Sequence, residues 1–393
     1  MLKHSYNHSG LDQNGKTIVE YVWIGGYGDD LRSKSKTYDK PINSIDDLGE
    51  WNYDGSSTHQ AETNNSEVLI RPIALFDDPF NLKPNKICLC ETFYSDGTPT
   101  NTNFRHFAKK IFDLDSENKF DPWFGIEQEY ALMITLGADL TWPYGWPVGS
   151  YPTAQGRYYC STGYKNSYAR DIAIAHYKAC LYAGVKVFGT NCESLPGQWE
   201  FQVGNCKGIE IGDHLWMGRF LLERVAEIRG VDVNFEPKPV PGDWAGSGGH
   251  INYSDNKTRN DTNLVEINKQ LQFLEKNHHR MIKVYGKDNH LRLTGIFLIF
   301  LISFQCFFTF FINLGEHETS AFKKFTVGVA DRESSIRVPK TTKDVGKGYY
   351  EDRRPAANLD PYVVSASIFS ANCFDLQGFD ELEKHYLKFL KQN

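Results

Sequence analysis

The chain has 393 residues, of which 40% are hydrophobic and 23% charged, and its formal net charge is -6. These are ordinary globular proportions, and the acidic balance argues against a nucleic-acid partner held by bulk charge. The length is too great for one ordinary core and predicts two domains.

The N-terminal part of the chain predicts a small β-rich domain. Its first residues, MLKHSYNHSGLDQNGK, form no apolar signal core and no Arg-rich amphipathic pattern, so we expect no export or organelle import. The cysteines show no CxxC pair and no compact disulfide framework, which favours reduced thiols and a cytoplasmic location. Residues 17–24 and 86–93 are β-branched or aromatic runs separated by Gly/Asp/Ser-rich connections, which predicts a β-rich domain over 1–105.

The rest of the chain, residues 106–393, predicts one large α+β domain. Residues 103–112 have a helical pattern, and DPWFGIEQEYALMI is typical of a strand. Helix-like stretches at 168–184 and 213–229 then alternate with further strands.

Two carboxylates share one face of the strand predicted in FGIEQEYA. Side chains alternate along a strand, so Glu127 and Glu129 point one way while Ile126 and Gln128 point the other. Neighbouring carboxylates repel unless a cation lies between them or one is protonated. A solvated strand face is the alternative that this segment leaves open.

Two later segments carry further candidate ligands. In NCESLPGQWEFQVG, Glu193 precedes a Pro-Gly turn and Glu200 lies in a predicted strand, so a hairpin would bring the two carboxylates together. In GDWAGSGGHINYS, His250 follows a Gly-rich loop that lets the backbone approach a ligand closely. A structural strand histidine is the simpler explanation of His250 taken alone.

Near the C-terminus, YYEDRRPAANLDP places Glu351 beside Arg353 and Arg354, which alone is typical of a surface salt-bridge cluster. Together the segments offer carboxylates and one imidazole, an oxygen-rich set that suits Mg²⁺ or Mn²⁺ better than zinc. Arginines are abundant near these segments, and their fork geometry matches carboxylate and phosphate oxygens. Divalent ions beside arginines favour phosphoryl transfer.

A series of motifs runs in a fixed order along nearly the whole chain. The series is WNYDGSST, WFGIEQEY, NCESLPGQWEFQVG, GDWAGSGGHIN, RLTG, HET, SSIRVPK and YYEDRRP. This order resembles glutamine synthetase of the eukaryotic type. The resemblance implies an α+β fold with a small N-terminal β-grasp domain before a large catalytic domain. It also implies ATP-dependent ligation of ammonia to L-glutamate through γ-glutamyl phosphate, which gives glutamine, ADP and phosphate and serves glutamine biosynthesis and nitrogen assimilation.

The resemblance divides the candidate ligands between two divalent ions, Mg²⁺ or Mn²⁺, with two or more ions per site. One ion is assigned to Glu129, Glu193 and Glu200. The other, near the nucleotide phosphates, is assigned to Glu127, His250 and Glu351.

Further roles follow from the same resemblance. Asp54, from the adjacent subunit, would bind ammonium and take its proton, with Tyr159 lining that pocket and Glu318 closing over the intermediate. A turn aspartate that bonds its own backbone is the alternative for Asp54. The remaining catalytic and substrate-binding positions are Ser57, Arg292, Arg332 and Arg353. The ATP-binding positions are Trp123, Asn252, Ser254, Arg259 and Arg337.

The resemblance implies a homo-oligomer, a decamer of two stacked pentameric rings with active sites between subunits. Glutamate, ammonium and ATP would be its small-molecule partners, and we expect no nucleic-acid or membrane partner. Two alternatives remain at this point: a relative that ligates another amine to glutamate, and a non-catalytic structural homologue.

An apolar insertion interrupts the series of motifs. The family spacing has one variable residue between RLTG and HET, but here residues 296–315 are extra. A membrane span there would place Arg292 and Glu318 on opposite sides of a bilayer, which is incompatible with one active site. We interpret the insertion as a retained intron, because the Gly295 codon can contain a GT donor and Leu314–Gly315 can encode a TTAG acceptor. A soluble insertion and a membrane anchor are the alternatives.

Overall fold

The computed structural model describes residues 11–135, 141–147, 157–240, 244–293, 296–303, 306–313 and 320–392. Within them the strands are β1 (Thr17–Ile24), β2 (Leu31–Tyr38), β3 (Trp51–Asp54), β4 (Glu67–Asp77), β5 (Lys86–Tyr94), β6 (Trp123–Thr135), β7 (Thr141–Pro143), β8 (Val187–Cys192), β9 (Gln198–Lys207), β10 (Asp232–Asn234), β11 (Gly249–Ser254), β12 (Ile296–Ser303), β13 (Cys306–Asn313), β14 (Val327–Val329), β15 (Ile336–Val338) and β16 (Tyr350–Asp352).

The helices in the same part of the chain are α1 (Phe104–Phe112), α2 (Arg170–Ala183), α3 (Glu210–Arg229), α4 (Asn256–Arg259), α5 (Val265–Lys276), α6 (His278–Met281), α7 (His290–Leu293), α8 (Lys340–Val345), α9 (Pro361–Phe374) and α10 (Phe379–Leu390). The strands predicted at 17–24 and 86–93, and the helices predicted at 168–184 and 213–229, are confirmed as β1, β5, α2 and α3 with small shifts of their ends.

The described residues form two compact units, one within 11–106 together with 178–185 and one within 107–177 together with 186–392. The first unit contains a five-stranded sheet with the order β2-β1-β5-β4-β3. The pair β1 and β5 is parallel and the other pairs are antiparallel, which is the mixed order expected of a β-grasp. One face of this sheet buries Val19, Tyr21, Trp23 and Ile70, whose alternation along the strands makes that face apolar.

The second unit is built on a nine-stranded sheet. Its main path runs β14-β15-β16-β11-β6-β9-β8, and β7 and β10 pair with the far end of β6. The long strand β6 therefore lies centrally, antiparallel to β9 on one side and to β11 on the other. Its position brings residues from distant parts of the chain next to FGIEQEYA.

Buried helices hold one face of β6 in place. Arg219 of α3 donates from Nε and Nη2 to the Gln128 side chain at 3.0 and 2.7 Å, and from Nη2 to the Ala357 carbonyl at 3.0 Å. Helix α9 is capped by Asp360, whose carboxylate accepts from the Val363 N–H, and its first two turns are wholly buried. Because Gln128 is anchored on this side, its neighbours Glu127 and Glu129 face the other side of the sheet.

The described residues of the insertion form two strands, and among the described residues these strands pair only with each other. Strands β12 and β13 form an antiparallel two-stranded sheet, with Ile296 opposite Asn313 and Ser303 opposite Cys306. In the described part of the chain, no helix has both the length and the apolar character needed to cross a membrane. The α+β class predicted from the sequence is confirmed.

Candidate active site

The register of β6 with its neighbours builds two clusters of acidic side chains. Glu127 lies opposite His250 of β11, and Glu129 lies opposite Glu200 of β9. Asn252 of β11 in turn lies opposite Glu351 of β16. Glu127 and Glu129, two residues apart on β6, thus belong to two separate clusters on one face of the sheet.

The first cluster consists of Glu127, His250 and Glu351, whose candidate ligand atoms all lie within 4.8 Å of one another. His250 Nδ1 is 3.5 Å from a Glu127 oxygen and 3.5 Å from a Glu351 oxygen. Arg353 Nη1 donates to Glu351 at 2.6 Å, and Arg337 Nε contacts the other oxygen of the same carboxylate. Burial and the nearby arginines lower the pKa of His250 well below its usual value, so the ring is neutral.

The second cluster consists of Glu129, Glu193 and Glu200, again with candidate ligand atoms within 4.8 Å of one another. Strands β8 and β9 form a hairpin, and the Glu193 N–H donates to the Gln198 carbonyl at 2.8 Å at its turn. The hairpin carries Glu193 and Glu200 to the same place. All three side chains belong to buried residues.

The hydrogen-bond donors to the second cluster are neutral. The Gly248 N–H donates to Glu129 at 2.8 Å, and Gln202 Nε2 donates to Glu200 at 2.6 Å. Glu193 accepts from Asn191 Nδ2 at 3.1 Å. Within the described residues, no Lys or Arg nitrogen comes within 4.0 Å of any of the three carboxylates.

Burial therefore disfavours the ionised form of these carboxylates. It raises the pKa of Glu193 to about 8, with the Glu129 charge as the next cause. It also raises the pKa of Glu129, and raises that of Glu200 well above its usual value, where the other carboxylates add to the effect. The charges of Arg292 and Arg353 act in the opposite direction on the pKa of Glu129, although neither arginine contacts it. Three crowded, buried carboxylates without a basic group in direct contact are what a divalent cation would neutralise.

An arginine-lined cavity of about 570 Å³ opens over both clusters. Tyr159 lies at its wall, and burial raises the pKa of this phenol to about 12, so the hydroxyl stays protonated. The predicted catalytic and substrate-binding residues Arg292, Arg332 and Arg353 line it together with Arg337. Arg337, which was expected among the ATP contacts, lines this cavity and contacts the Glu351 carboxylate.

A second, tryptophan-lined cavity of about 570 Å³ adjoins the first. Its walls include the other predicted ATP-binding residues, Trp123, Asn252, Ser254 and Arg259. The Arg259 guanidinium carbon lies 4.2 Å from the centre of the Trp123 ring and Arg259 Nη1 donates to Ser254 at 3.2 Å. Glu127 lines both cavities, so the first cluster lies where they meet.

Two predicted residues, Asp54 and Ser57, belong to the first unit, where Asp54 ends β3 and is exposed. The Ser56 N–H and hydroxyl donate to the Asp54 carboxylate at 3.0 and 2.6 Å, and these hydrogen bonds lower its pKa. Asp54 thus makes the turn contacts of the simpler alternative while remaining ionised. Glu318 lies outside the described residues.

The sequence reasoning missed residues that support the ligands. Gln202 lies two residues beyond Glu200 on β9, and the alternation that singled out Glu200 also places Gln202 on that face. Gly248 contributes a backbone N–H to Glu129, which no side-chain pattern reveals. Phe188 and Tyr349 line the tryptophan-lined cavity and were not singled out either.

The donor set fits divalent ions that prefer oxygen ligands, because each cluster supplies at least two carboxylates and neither supplies a thiolate. An α+β fold with two such clusters, beside a cavity lined by arginines, defines a metal-using enzyme of the class that acts on anionic substrates.

Residues 101–379 match the family model described as the glutamine synthetase catalytic domain. The chain is 49% identical over 363 residues to glutamine synthetase of Emericella nidulans, covering 92% of this chain and 94% of that protein. It is 48% identical to glutamine synthetase cytosolic isozyme 1-3 of Arabidopsis thaliana, covering 94% of this chain and 98% of the relative. The chain belongs to the glutamine synthetase family.

A further relative and a solved structure are also similar to this chain. Glutamine synthetase of Gallus gallus is 47% identical over 386 residues, covering 97% of this chain and 96% of that protein. A solved structure described as a GmaS/ADP complex has a TM-score of 0.64 at 17% identity, covering 93% of this chain and 79% of that chain. The structural likeness bears on the fold alone.

Proposed function

We propose that this chain is a glutamate–ammonia ligase, which joins ammonia to L-glutamate at the expense of ATP and gives L-glutamine, ADP and phosphate. Family membership at nearly half identity over most of the chain supports the reaction. The observation that carries the proposal is that Glu127 lines both cavities. A nucleotide phosphate entering from one cavity would meet an anionic substrate held in the other.

The chemistry of the reaction explains why such a junction is needed. A carboxylate is a poor electrophile, so ATP first converts the glutamate side chain to γ-glutamyl phosphate. An amine can then displace phosphate from that acyl carbon. Two substrates and a nucleotide bring several negative charges together, and the arginines of the cavity offset part of them.

We assign the six acidic and imidazole ligands to two or more Mg²⁺ or Mn²⁺ ions. Bound there, the ions would supply positive charge to the phosphate oxygens. Arg292 would hold the substrate carboxylate, and Arg332 and Arg353 would hold substrate or the phosphoryl group in transfer. Arg337 would bridge Glu351 and the nucleotide phosphates.

The second half-reaction needs a base for the amine. Ammonium has no lone pair, so it must lose a proton before it can attack. We propose that Asp54 of a neighbouring subunit binds ammonium and takes its proton, with Ser57 nearby and Tyr159 lining the pocket. The ionised state and exposure of Asp54 suit this role. We assign Glu318 to closure over the intermediate.

We assign the tryptophan-lined cavity to ATP. The Trp123 ring offers a flat surface to a base, while Arg259, Asn252 and Ser254 offer charged and polar groups to the sugar and phosphates. In the assembly that the family implies, a cytoplasmic decamer of two pentameric rings, each active site would be completed by a second subunit. We also propose that the β-grasp domain ends at residue 105, where the catalytic domain follows.

The test is glutamate- and ammonium-dependent ADP release with Mg²⁺, measured for the full chain and for a variant lacking residues 296–315. We expect turnover in the trimmed variant. No turnover there would defeat the enzyme assignment and favour the non-catalytic homologue, the alternative that the insertion beside the site supports. Replacing ammonium with methylamine tests the other amine-ligase alternative, which a preference for methylamine would establish.

A matched pair of variants separates the two roles. Glu129→Gln removes a proposed ligand, and Asp54→Asn removes the proposed base while leaving both clusters unchanged. We expect Glu129→Gln to lose metal binding and Asp54→Asn to retain it, with both losing glutamine formation.

For the insertion at residues 296–315, we propose that it is a retained intron. A transcript population that always contains its sixty nucleotides would contradict that origin.

A further inference from the structure

Arg292 makes a contact that its proposed role as a substrate arginine does not explain. It belongs to α7 and is 2% exposed. Its Nη2 lies 2.9 Å from His250 Nε2 and donates to the Arg353 carbonyl at 3.0 Å. The guanidinium is therefore held on the imidazole of the first cluster rather than directed only into the cavity.

This contact determines where His250 carries its ring proton. A guanidinium stays protonated and has no acceptor, so Nε2 must accept the hydrogen bond through its lone pair. The neutral ring then has its proton on Nδ1. That nitrogen faces the oxygens of Glu127 and Glu351, each at 3.5 Å.

Ligation requires the opposite arrangement. Nδ1 is the ring nitrogen that faces the two carboxylates, so an ion held among them must take the Nδ1 lone pair. The proton of the neutral ring must then lie on Nε2. An Nε2–H and a guanidinium N–H would face each other at 2.9 Å, and two donors at that distance repel. The Arg292–His250 contact and an ion at Nδ1 exclude each other.

The Gly-rich loop before His250 makes room for this contact. A Cβ at Gly246 would lie 2.6 Å from the Pro237 carbonyl oxygen and 2.7 Å from Arg292 Cγ. A Cβ at Gly248 would lie 2.6 Å from His250 Nε2 and 2.7 Å from Arg292 Nη2, so it would disturb both sides of the contact. The loop that the sequence marks as a close-approach segment approaches Arg292 as well as the cavity.

We propose that Arg292 is a positioning residue that holds His250 in the tautomer unable to ligate, and that ion binding at the first cluster displaces its guanidinium from the ring. The displaced side chain remains in the arginine-lined cavity, where it is available to the substrate carboxylate. Ion binding and substrate binding are thereby coupled through one side chain, and the coupling is reciprocal. This inference rests on the proposed use of divalent ions by the first cluster.

The first test reads the tautomer directly, by nitrogen NMR of the full chain labelled with ¹⁵N-histidine, with the His250 signal assigned by its loss in His250→Gln. We expect the proton on Nδ1 in metal-free protein and on Nε2 after addition of Mg²⁺. In metal-free Arg292→Met, the Nε2–H form should increase, whereas Arg292→Lys, which keeps a donor, should retain more of the Nδ1–H form. An Nε2–H ring in metal-free wild type would overturn the inference without relying on any variant.

The second test compares two arginines that bear on the same cluster. Mn²⁺ titration followed by the EPR signal of the free ion should show about tenfold tighter binding to the first cluster in Arg292→Met, which corresponds to about 1.4 kcal/mol. Arg337→Met is the matched control, because it also removes one positive charge from the first cluster, but from a side chain that contacts Glu351 rather than the His250 ring. Equal gains in both variants would attribute the effect to charge alone and overturn the inference.

The outcomes also separate this inference from the proposed function. A chain that binds Mn²⁺ with the expected tautomer change but forms no glutamine leaves the inference intact and defeats the enzyme assignment. An active ligase whose His250 tautomer is the same with and without Mg²⁺ defeats only the inference.

Discussion

The first and second clusters lie on one face of one sheet, yet their charges are balanced differently. In the first cluster, Arg353 and Arg337 contact Glu351, so part of its negative charge is already offset. In the second cluster, the hydrogen-bond donors to the carboxylates among the described residues are amide, hydroxyl and backbone N–H groups, and the charges of Arg292 and Arg353 act on Glu129 without contacting it. We therefore expect the second cluster to need a bound cation, to offset its negative charge, more strongly than the first.

The largest expected effect tests that dependence by removing one carboxylate from the second cluster. Glu129→Gln keeps the shape of the side chain and removes a ligand oxygen with its charge. Changes to partners outside the ligands already cost about 10- to 100-fold in metal affinity or activity, so we expect a loss of ADP release beyond about 100-fold. Steady-state assays with Mg²⁺ measure it, with the exposed Glu275→Gln as control. A loss smaller than that of Glu127→Gln would reverse the comparison.

A smaller effect is expected for the neutral donor that holds Glu200. Gln202 Nε2 donates to this carboxylate at 2.6 Å. Gln202→Met keeps the length of the side chain and removes the donor, so we expect Mn²⁺ affinity at the second cluster to fall about 10-fold, at the low end for such partners. Titration of metal-free protein in the absence of nucleotide measures it, and unchanged affinity would show that Gln202 only fills space.

The pH dependence of stability should also distinguish the second cluster. Burial raises the pKa of Glu193 from its usual 4.5 to about 8, so the folded metal-free protein binds a proton that the unfolded chain has lost over that interval. Stability from this group is complete below about pH 4.5 and is lost as pH rises through about 8. Conversely, ion binding must release the proton, so Mn²⁺ affinity should rise with pH up to about 8.

Melting temperatures in EDTA and in Mg²⁺ across this interval check the prediction. The stabilisation by Mg²⁺ should grow with pH in wild type and grow less in Glu193→Gln, which cannot ionise. A melting temperature in EDTA that changes equally with pH in both proteins would show that Glu193 titrates normally.

Local spacing explains how much of this site could be predicted. The alternation in FGIEQEYA places Glu127 and Glu129 on one face, and the Pro-Gly turn after Glu193 predicts the hairpin that carries Glu200 back. Both inferences need only neighbouring residues. The resemblance to glutamine synthetases then supplied the family and the division into two clusters, and the family is confirmed by the comparisons.

The rest of the site depends on pairing between distant segments. The register that places Glu127 opposite His250 and Glu129 opposite Glu200 is set by the packing of β6 between β9 and β11. No local pattern specifies it. The contact of Arg292 with His250 joins a short helix to a strand 42 residues away and arises only in the folded chain. Local pattern was also insufficient for the insertion, because a continuous apolar run is compatible with a hairpin such as β12–β13 and with a helix.

The smallest expected effect concerns Asn252, the counterpart of Gln202 in the first cluster. Asn252 Nδ2 donates to Glu127 at 2.9 Å, and the Glu127 side chain is 22% exposed, so water can replace a lost donor there. One neutral hydrogen bond contributes about 0.5–1.5 kcal/mol, and partial solvation should keep Asn252→Leu near the lower end, about two- to threefold in Mn²⁺ affinity. The measurement is the nucleotide-free titration used for Gln202→Met, so that the separate place of Asn252 in the tryptophan-lined cavity does not contribute. If the two variants lose affinity equally, the arginines on Glu351 do not buffer the first cluster, and the difference between the clusters lies in their geometry rather than in their charge.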